Sequence, residues 1–131
     1  MTEEIWRPIE FEHYEVSNFG NVRSLRFNKI RSLTQQQSSN GYNYVNFMID
    51  GKTRFRLVHR LVAWAFFGPS TLEVNHLNGI KTDNRIGNLE YCTRIANKRH
   101  AMSIGLSKGH THKRMIWPSM YIVTTDDILA A

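Results

Sequence analysis

Two hydrophobic periods alternate along the chain. From Tyr42 to Ile49 the run Y-N-Y-V-N-F-M-I switches between apolar and polar residues, the two-residue period of a half-buried strand. Asp50-Gly51 is a strong two-residue hairpin turn, and T-R-F-R-L-V returns as the partner strand, with Phe55 and Leu57 on one face and Arg54 and Arg56 on the other. At Val58 the period changes. Val58, Leu61, Val62, Ala65 and Phe66 recur at helical spacing, which predicts an amphipathic core helix over 58–67, stopped by Gly68-Pro69. His59, on this helix, reads as a structural histidine, with a place facing a catalytic pocket as the alternative.

The flanking segments are shorter and more polar. Tyr14 and Val16 alternate with polar neighbours, Ser17-Asn18-Phe19-Gly20 is a turn, and Val22 and Leu25 start another strand, so 5–33 reads most simply as a hairpin. Residues 34–40, T-Q-Q-Q-S-S-N, read as a polar linker. Beyond the helix, Glu73 to Leu77 is a short strand, Asn78-Gly79 a turn and Asn84 to Asn88 a second polar loop. Leu89, Tyr91 and Cys92 suit a return strand, and Thr93 is an N-cap for a helix from Arg94 to about Ser103. The expected class is α+β: N-terminal antiparallel β hairpins, a linking helix, a strand–loop–strand–helix unit and an extended basic tail. The expected division is 1–57, 58–103 and 104–131.

Composition narrows the partners. A chain of 131 residues fits one domain, and a formal charge of +6 suits a polyanion, because each Lys or Arg set against a phosphate releases a condensed counterion. Arg23, Arg26, Lys29 and Arg31 recur along one segment, and the Arg54/Arg56 ribbon is narrow enough for the major groove of B-DNA. Cys92 is the single cysteine, which excludes an internal disulfide and a Cys-x-x-Cys zinc site, so no structural zinc is expected. There is no run of eighteen apolar residues to span a membrane, and the acidic start M-T-E-E-I-W is unlike a signal peptide; an intracellular protein is expected.

The candidate chemistry lies in 72–100. Asn97 and His100 are three apart on the second predicted helix and share a side. If that helix packs on the preceding hairpin, one or both come near His76. A neutral imidazole beside a metal ion is what phosphodiester hydrolysis needs, because the base takes a proton from water while the cation stabilises charge on the phosphate.

The pattern N-H-L-N-G-x4-N-x3-N-L-E-Y-x-T-x3-N-x2-H resembles the HNH endonucleases of the ββα-metal group, particularly the phage and intron-encoded homing type. The upstream I-W-R-P-I and Y-E-V-S-N-F-G-N-V-R-S-L resemble the N-terminal DNA-contacting module that accompanies them, and L-V-H-R-L-V-A-W-A-F resembles their linking helix. This resemblance implies His76 as general base and Asn88 as the middle asparagine, which holds the loop and orients that histidine through its backbone. It implies Asn97 as a ligand of a single divalent ion, Mg²⁺ or Mn²⁺. Asn75 takes the position where many relatives carry an aspartate ligand, so weaker Mg²⁺ affinity is expected, and His100 is a possible further ligand that would favour Mn²⁺. Double-stranded DNA is the implied substrate, cut to 3′-hydroxyl and 5′-phosphate ends. Nick or double-strand break, monomer or homodimer, both stay open. In the tail, Lys108, Lys113 and Arg114 read as a DNA-contacting arm, a reading preferred to a His110-x-His112 metal pair. The rival readings are a non-catalytic DNA-binding module of the same fold, and cleavage of RNA.

Overall fold

The computed structural model describes residues 3–105; the expected tail contacts of Lys108, Lys113 and Arg114, and the His110/His112 pair, lie outside them. The N-terminal part is a four-stranded antiparallel sheet ordered β1 (Trp6–Pro8), β2 (Tyr14–Ser17), β3 (Val22–Ser24) and β4 (Arg31–Ser32). The expected hairpin is its β2–β3 centre, where Tyr14 faces Ser24 and Val16 faces Val22. The outer strands carry no buried residue, which is why apolar alternation did not reveal them. A second sheet is built from β5 (Gln36–Gln37), β6 (Asn43–Ile49) and β7 (Lys52–Leu57). Gln36 and Gln37 pair with Tyr44 and Asn43, so the expected linker is in part an edge strand made entirely of amide side chains.

The turn between β6 and β7 is the expected one, with Asp50 and Gly51 both in the left-handed region (φ 51° and 77°). Register decides the ribbon's faces. Val45 pairs with Arg56 and Phe47 with Arg54, so the arginines share the face that buries Val45 and Phe47. The outward face carries Tyr44 and Phe55, whose rings meet edge to face at 5.9 Å. On the arginine face, Arg56 lies over the Phe11 ring and pairs with Glu10, while Arg54 is exposed.

Helix α1 (Val58–Phe67) follows β7 without a break and ends where Gly68, at φ 101°, turns its N–H back to the Trp64 carbonyl. Val58, Leu61 and Val62 are buried, and Ala65 and Phe66 are partly buried, as their spacing requires. The helix packs on β2, β6 and the final strand pair, so one core joins Tyr14, Val16, Val22, Val45 and Phe47 to Val58, Val62, Val74, Leu89 and Tyr91. That pair is β8 (Glu73–His76) against β9 (Leu89–Cys92), followed by α2 (Arg94–Ser103). Thr93 caps α2, its hydroxyl accepting from the Ala96 N–H. Cys92 is fully buried, and burial pushes its thiol up to about 12, so it behaves as a small hydrophobe. Among the described residues no helix is long and apolar enough to cross a membrane.

Candidate active site

The site forms where β8, β9 and α2 meet beneath the 77–88 loop. Asn75 and His76 are adjacent on β8 and both are buried. Adjacent strand residues point to opposite faces, so one points toward α2 and the other toward α1 and the N-terminal sheets. Register places Glu90 opposite Asn75, and the Asn75 amide donates to Glu90 Oε1 at 2.9 Å. Burial raises the Glu90 carboxyl, partly offset by that hydrogen bond. On α2, the Asn97 amide donates to Glu73 Oε1 at 2.8 Å. A carboxylate accepts only from the NH₂ end, so each contact fixes its carboxamide flip and directs Oδ1 away from the carboxylate. Two hard oxygen donors, each flanked by a glutamate, suit a divalent ion of the Mg²⁺ class. Among the described residues no group of three His, Cys, Asp or Glu side chains is placed to hold a metal.

His76 has a different neighbourhood. Its Nε2 lies 2.7 Å from Asn84 Oδ1, a buried contact. An amide oxygen can only accept, so Nε2 carries the proton and Nδ1 keeps the basic lone pair. Burial lowers the imidazole's pKa and Lys81 lowers it further, against the opposing effects of the Asn84 hydrogen bond and the Asp83 charge. A lowered pKa favours the neutral ring, the form that can act as a base. The His59 ring is 5.1 Å away and the Tyr42 ring 5.9 Å. His59 is buried, its Nδ1 has no hydrogen-bond partner among the described residues, and burial together with the facing His76 depresses it to about 3. The histidine expected to be structural is buried, and its ring packs against that of His76.

Asn88 is hydrogen-bonded to Asn78 and Asp83 of the loop and reaches His76 through intermediaries. Its Oδ1 accepts from the Asn78 N–H at 3.0 Å, and its amide donates to Asn78 Oδ1 and the Asp83 carbonyl, both at 2.9 Å. Its carbonyl takes the Leu77 N–H at 2.8 Å. Fixing residue 83 places residue 84 against His76, so the side chain that touches the imidazole is Asn84, which spacing alone did not single out. His100 turns Nε2 to the Leu77 carbonyl at 3.0 Å. With Nε2 donating there, Nδ1 is the nitrogen that keeps a lone pair.

The basic residues divide into two groups. Arg23 is paired with Glu15 at 2.7 Å and stacked on the Trp6 ring, and Arg26 donates to the Met48 carbonyl at 3.2 Å and lies over Phe27. Lys29, Arg31 and Arg54 are exposed and have no ion pair among the described residues.

Comparison with known proteins bears on this geometry. Residues 56–99 match the family model described as HNH endonuclease, and residues 4–48 match the NUMOD4 motif. The chain is 36% identical over 104 residues to the DNA endonuclease I-HmuI of Bacillus phage SP01, covering 76% of this chain and 59% of that protein. It is 43% identical over 111 residues to an uncharacterized HNH endonuclease of Acanthamoeba polyphaga mimivirus, covering 79% of this chain and 27% of the relative. The H-N-H endonuclease F-TflII of Escherichia phage T5 is 33% identical over 106 residues, with 78% and 52% covered. A solved structure of DNA binding and cleavage by the HNH homing endonuclease I-HmuI superposes with a TM-score of 0.70 at 33% identity, over 80% of this chain and 62% of that one. The chain therefore spans less than two thirds of the length of each of these relatives.

Proposed function

We propose that this chain, which carries an HNH endonuclease domain behind a NUMOD4 motif, is a divalent-metal-dependent DNA endonuclease of the phage homing type. The observation that carries the reading is a buried His76 whose Nε2 is tied to Asn84 and whose pKa burial lowers, in the strand that also carries Asn75. His76 Nδ1 takes a proton from water, and the hydroxide formed attacks phosphorus. The phosphorus–O3′ bond breaks, and the leaving oxygen takes a proton from solvent, giving a 3′-hydroxyl and a 5′-phosphate. Burial makes the resulting imidazolium costly, which favours passing the proton on to solvent and restoring the base. Asn75 and Asn97 would hold one ion, Mg²⁺ or Mn²⁺, through their Oδ1 atoms, with Glu73 and Glu90 supplying negative charge nearby. Such an ion stabilises charge on the phosphate and the leaving oxygen.

The same proposal assigns duplex DNA contact to the strands of 1–57, cutting to 58–103 and further phosphate contact to the basic residues of 104–131. Incubating end-labelled duplex DNA, single-stranded DNA and RNA with Mg²⁺ or Mn²⁺ tests the substrate class. Duplex DNA is expected to be cut to 5′-phosphate ends, with EDTA abolishing the reaction; preferential RNA cleavage would contradict the assignment.

The arginine environments give a graded expectation. Arg54→Ala should reduce the slope of log affinity against log salt by about 1, the loss of one phosphate contact. Arg56→Ala should leave that slope almost unchanged, because Glu10 already occupies its guanidinium. Fluorescence anisotropy on duplex DNA across a salt series reads both, and equal slope changes would refute the distinction.

His59 makes stability depend on acid. Its folded-state pKa, about 3, lies below the unfolded value of 6.5, so the unfolded chain binds a proton first as pH falls. The contribution is fully present above about pH 6.5 and is lost toward pH 3, with a slope approaching roughly 1.4 kcal/mol per pH unit in that window. His59→Phe should flatten that part of the curve in urea unfolding measured between pH 7 and 5.

A further inference from the structure

We propose that the N-terminal motif positions the base: the turn at Gly20 packs on Asn84 and holds its amide oxygen against His76. The proposal rests on the reading of His76 given above. Gly20 has φ +89°, and a Cβ built on it would lie 3.0 Å from both Asn84 Cβ and the Asn84 carbonyl oxygen. That is tighter than nine in ten real Cβ contacts, and here the neighbour includes backbone, so a side chain at position 20 requires residue 84 to shift by a few tenths of an ångström. Two positions along, the Ile86 N–H donates to the Asn18 carbonyl at 2.9 Å. Residues 84 and 86 are thus both registered against one turn.

That turn is itself held from three sides. The Ser17 hydroxyl, wholly buried, accepts from the Phe19 and Asn21 N–H groups at 3.1 and 3.2 Å. Asn18 accepts from the Ile5 N–H at 2.7 Å and donates to the Glu3 carbonyl at 3.1 Å. The Gln35 amide donates to the Gly20 carbonyl at 2.8 Å. The 77–88 loop is tied to the N-terminal part at a second point, where Lys81 Nζ donates to the Asn40 carbonyl at 2.9 Å and lies over the Tyr42 ring. The Gly20–Asn84 contact crosses from the segment matching NUMOD4 to the segment matching the HNH model. Asn84 Oδ1 fixes the His76 tautomer, so the part of the chain assigned to DNA contact also sets which imidazole nitrogen is basic.

Gly20→Ala tests this by three readouts. The cleavage rate at saturating duplex DNA should fall about tenfold while DNA affinity changes less than about threefold, since residue 84 must give by a few tenths of an ångström and about 1 Å of misplacement costs roughly a hundredfold. In an Asn84→Ala background the same substitution should cost less than about twofold, because non-additivity marks residues acting through one another. The ¹⁵N shifts of the His76 ring should show a defined Nε2–H tautomer in the wild type and a mixture in Gly20→Ala. Gln35→Ala, which adds no atom and frees the Gly20 carbonyl, is read in parallel and should move the tautomer in the same direction, so the test survives a poorly folded Gly20→Ala. Equal rate losses in both backgrounds, or an unchanged tautomer in both variants, would overturn the proposal. A His76→Ala protein that cuts at the wild-type rate would instead overturn the base assignment, leaving the tautomer arm to decide the coupling alone.

Discussion

His76→Ala is expected to lower single-turnover cleavage of duplex DNA by roughly a hundred- to ten-thousand-fold, the contribution of a positioned general base. The loss should be confined to the rate. His76 is 5% exposed and lies beneath the loop, so its removal takes no phosphate contact away and DNA affinity should stay close to wild type. Its removal leaves Asn84 Oδ1 without its imidazole partner, so some stability should go with it, about 1–3 kcal/mol for an unsatisfied buried acceptor. The expected pattern is thus a small fall in the unfolding midpoint, intact binding and a large fall in rate. His76→Gln provides the control, because it can refill the hydrogen bond to Asn84 without restoring a base. If His76→Ala cuts within a few-fold of the wild type, the base lies elsewhere.

Asn75→Asp is expected to do the opposite for the ion. The Asn75 amide donates to Glu90 Oε1 at 2.9 Å with both residues buried. An aspartate there would set two carboxylates against each other, and in the metal-free protein one of them would have to hold a proton. The metal-free variant should therefore be less stable than the wild type by about 1–3 kcal/mol, since the amide-to-carboxylate hydrogen bond is lost and one buried carboxyl must take up a proton. With an ion present the added charge changes sign in its effect. Divalent affinity should rise by about tenfold or more, roughly 1.4 kcal/mol, because ligand charge sets the affinity of hard-cation sites. Isothermal titration with Mg²⁺ and Mn²⁺, alongside thermal melts in EDTA, reads both halves. Unchanged affinity would place the ion away from Asn75.

These expectations rest on features of unequal legibility. The two helices were readable because Val58, Leu61, Val62, Ala65 and Phe66 keep one period and Thr93 supplies a cap, and both signals are local. The β8–β9 pair was readable for the same reason. Trp6–Pro8, Arg31–Ser32 and Gln36–Gln37 were not, because a strand of two or three residues, none of them buried, is created by its partner rather than by its own pattern. The Arg54 and Arg56 side chains were placed on one face correctly, yet only the pairing with Val45 and Phe47 tells which way that face turns.

The site divides in the same way. His76 and Asn97 stand out by spacing, but Asn84 is one asparagine among several in a polar loop. Its contact with His76 depends on Asn88 pinning Asp83 and on Gly20 pressing from a segment more than sixty positions away in sequence. Glu90 could have been found from the antiparallel register once His76 was set opposite Leu89, since Asn75 then has to face it. His59 looked like core because it is core by burial, and only the three-dimensional packing shows that its neighbour is the other imidazole.

Supercoiled plasmid incubated with the wild-type protein and Mg²⁺ or Mn²⁺ tests the central claim most directly. Conversion to open circle is predicted with at least one ion and none in EDTA. Plasmid left supercoiled with both ions, while the same preparation still binds duplex DNA, would contradict the account and leave a DNA-binding module in place of a nuclease.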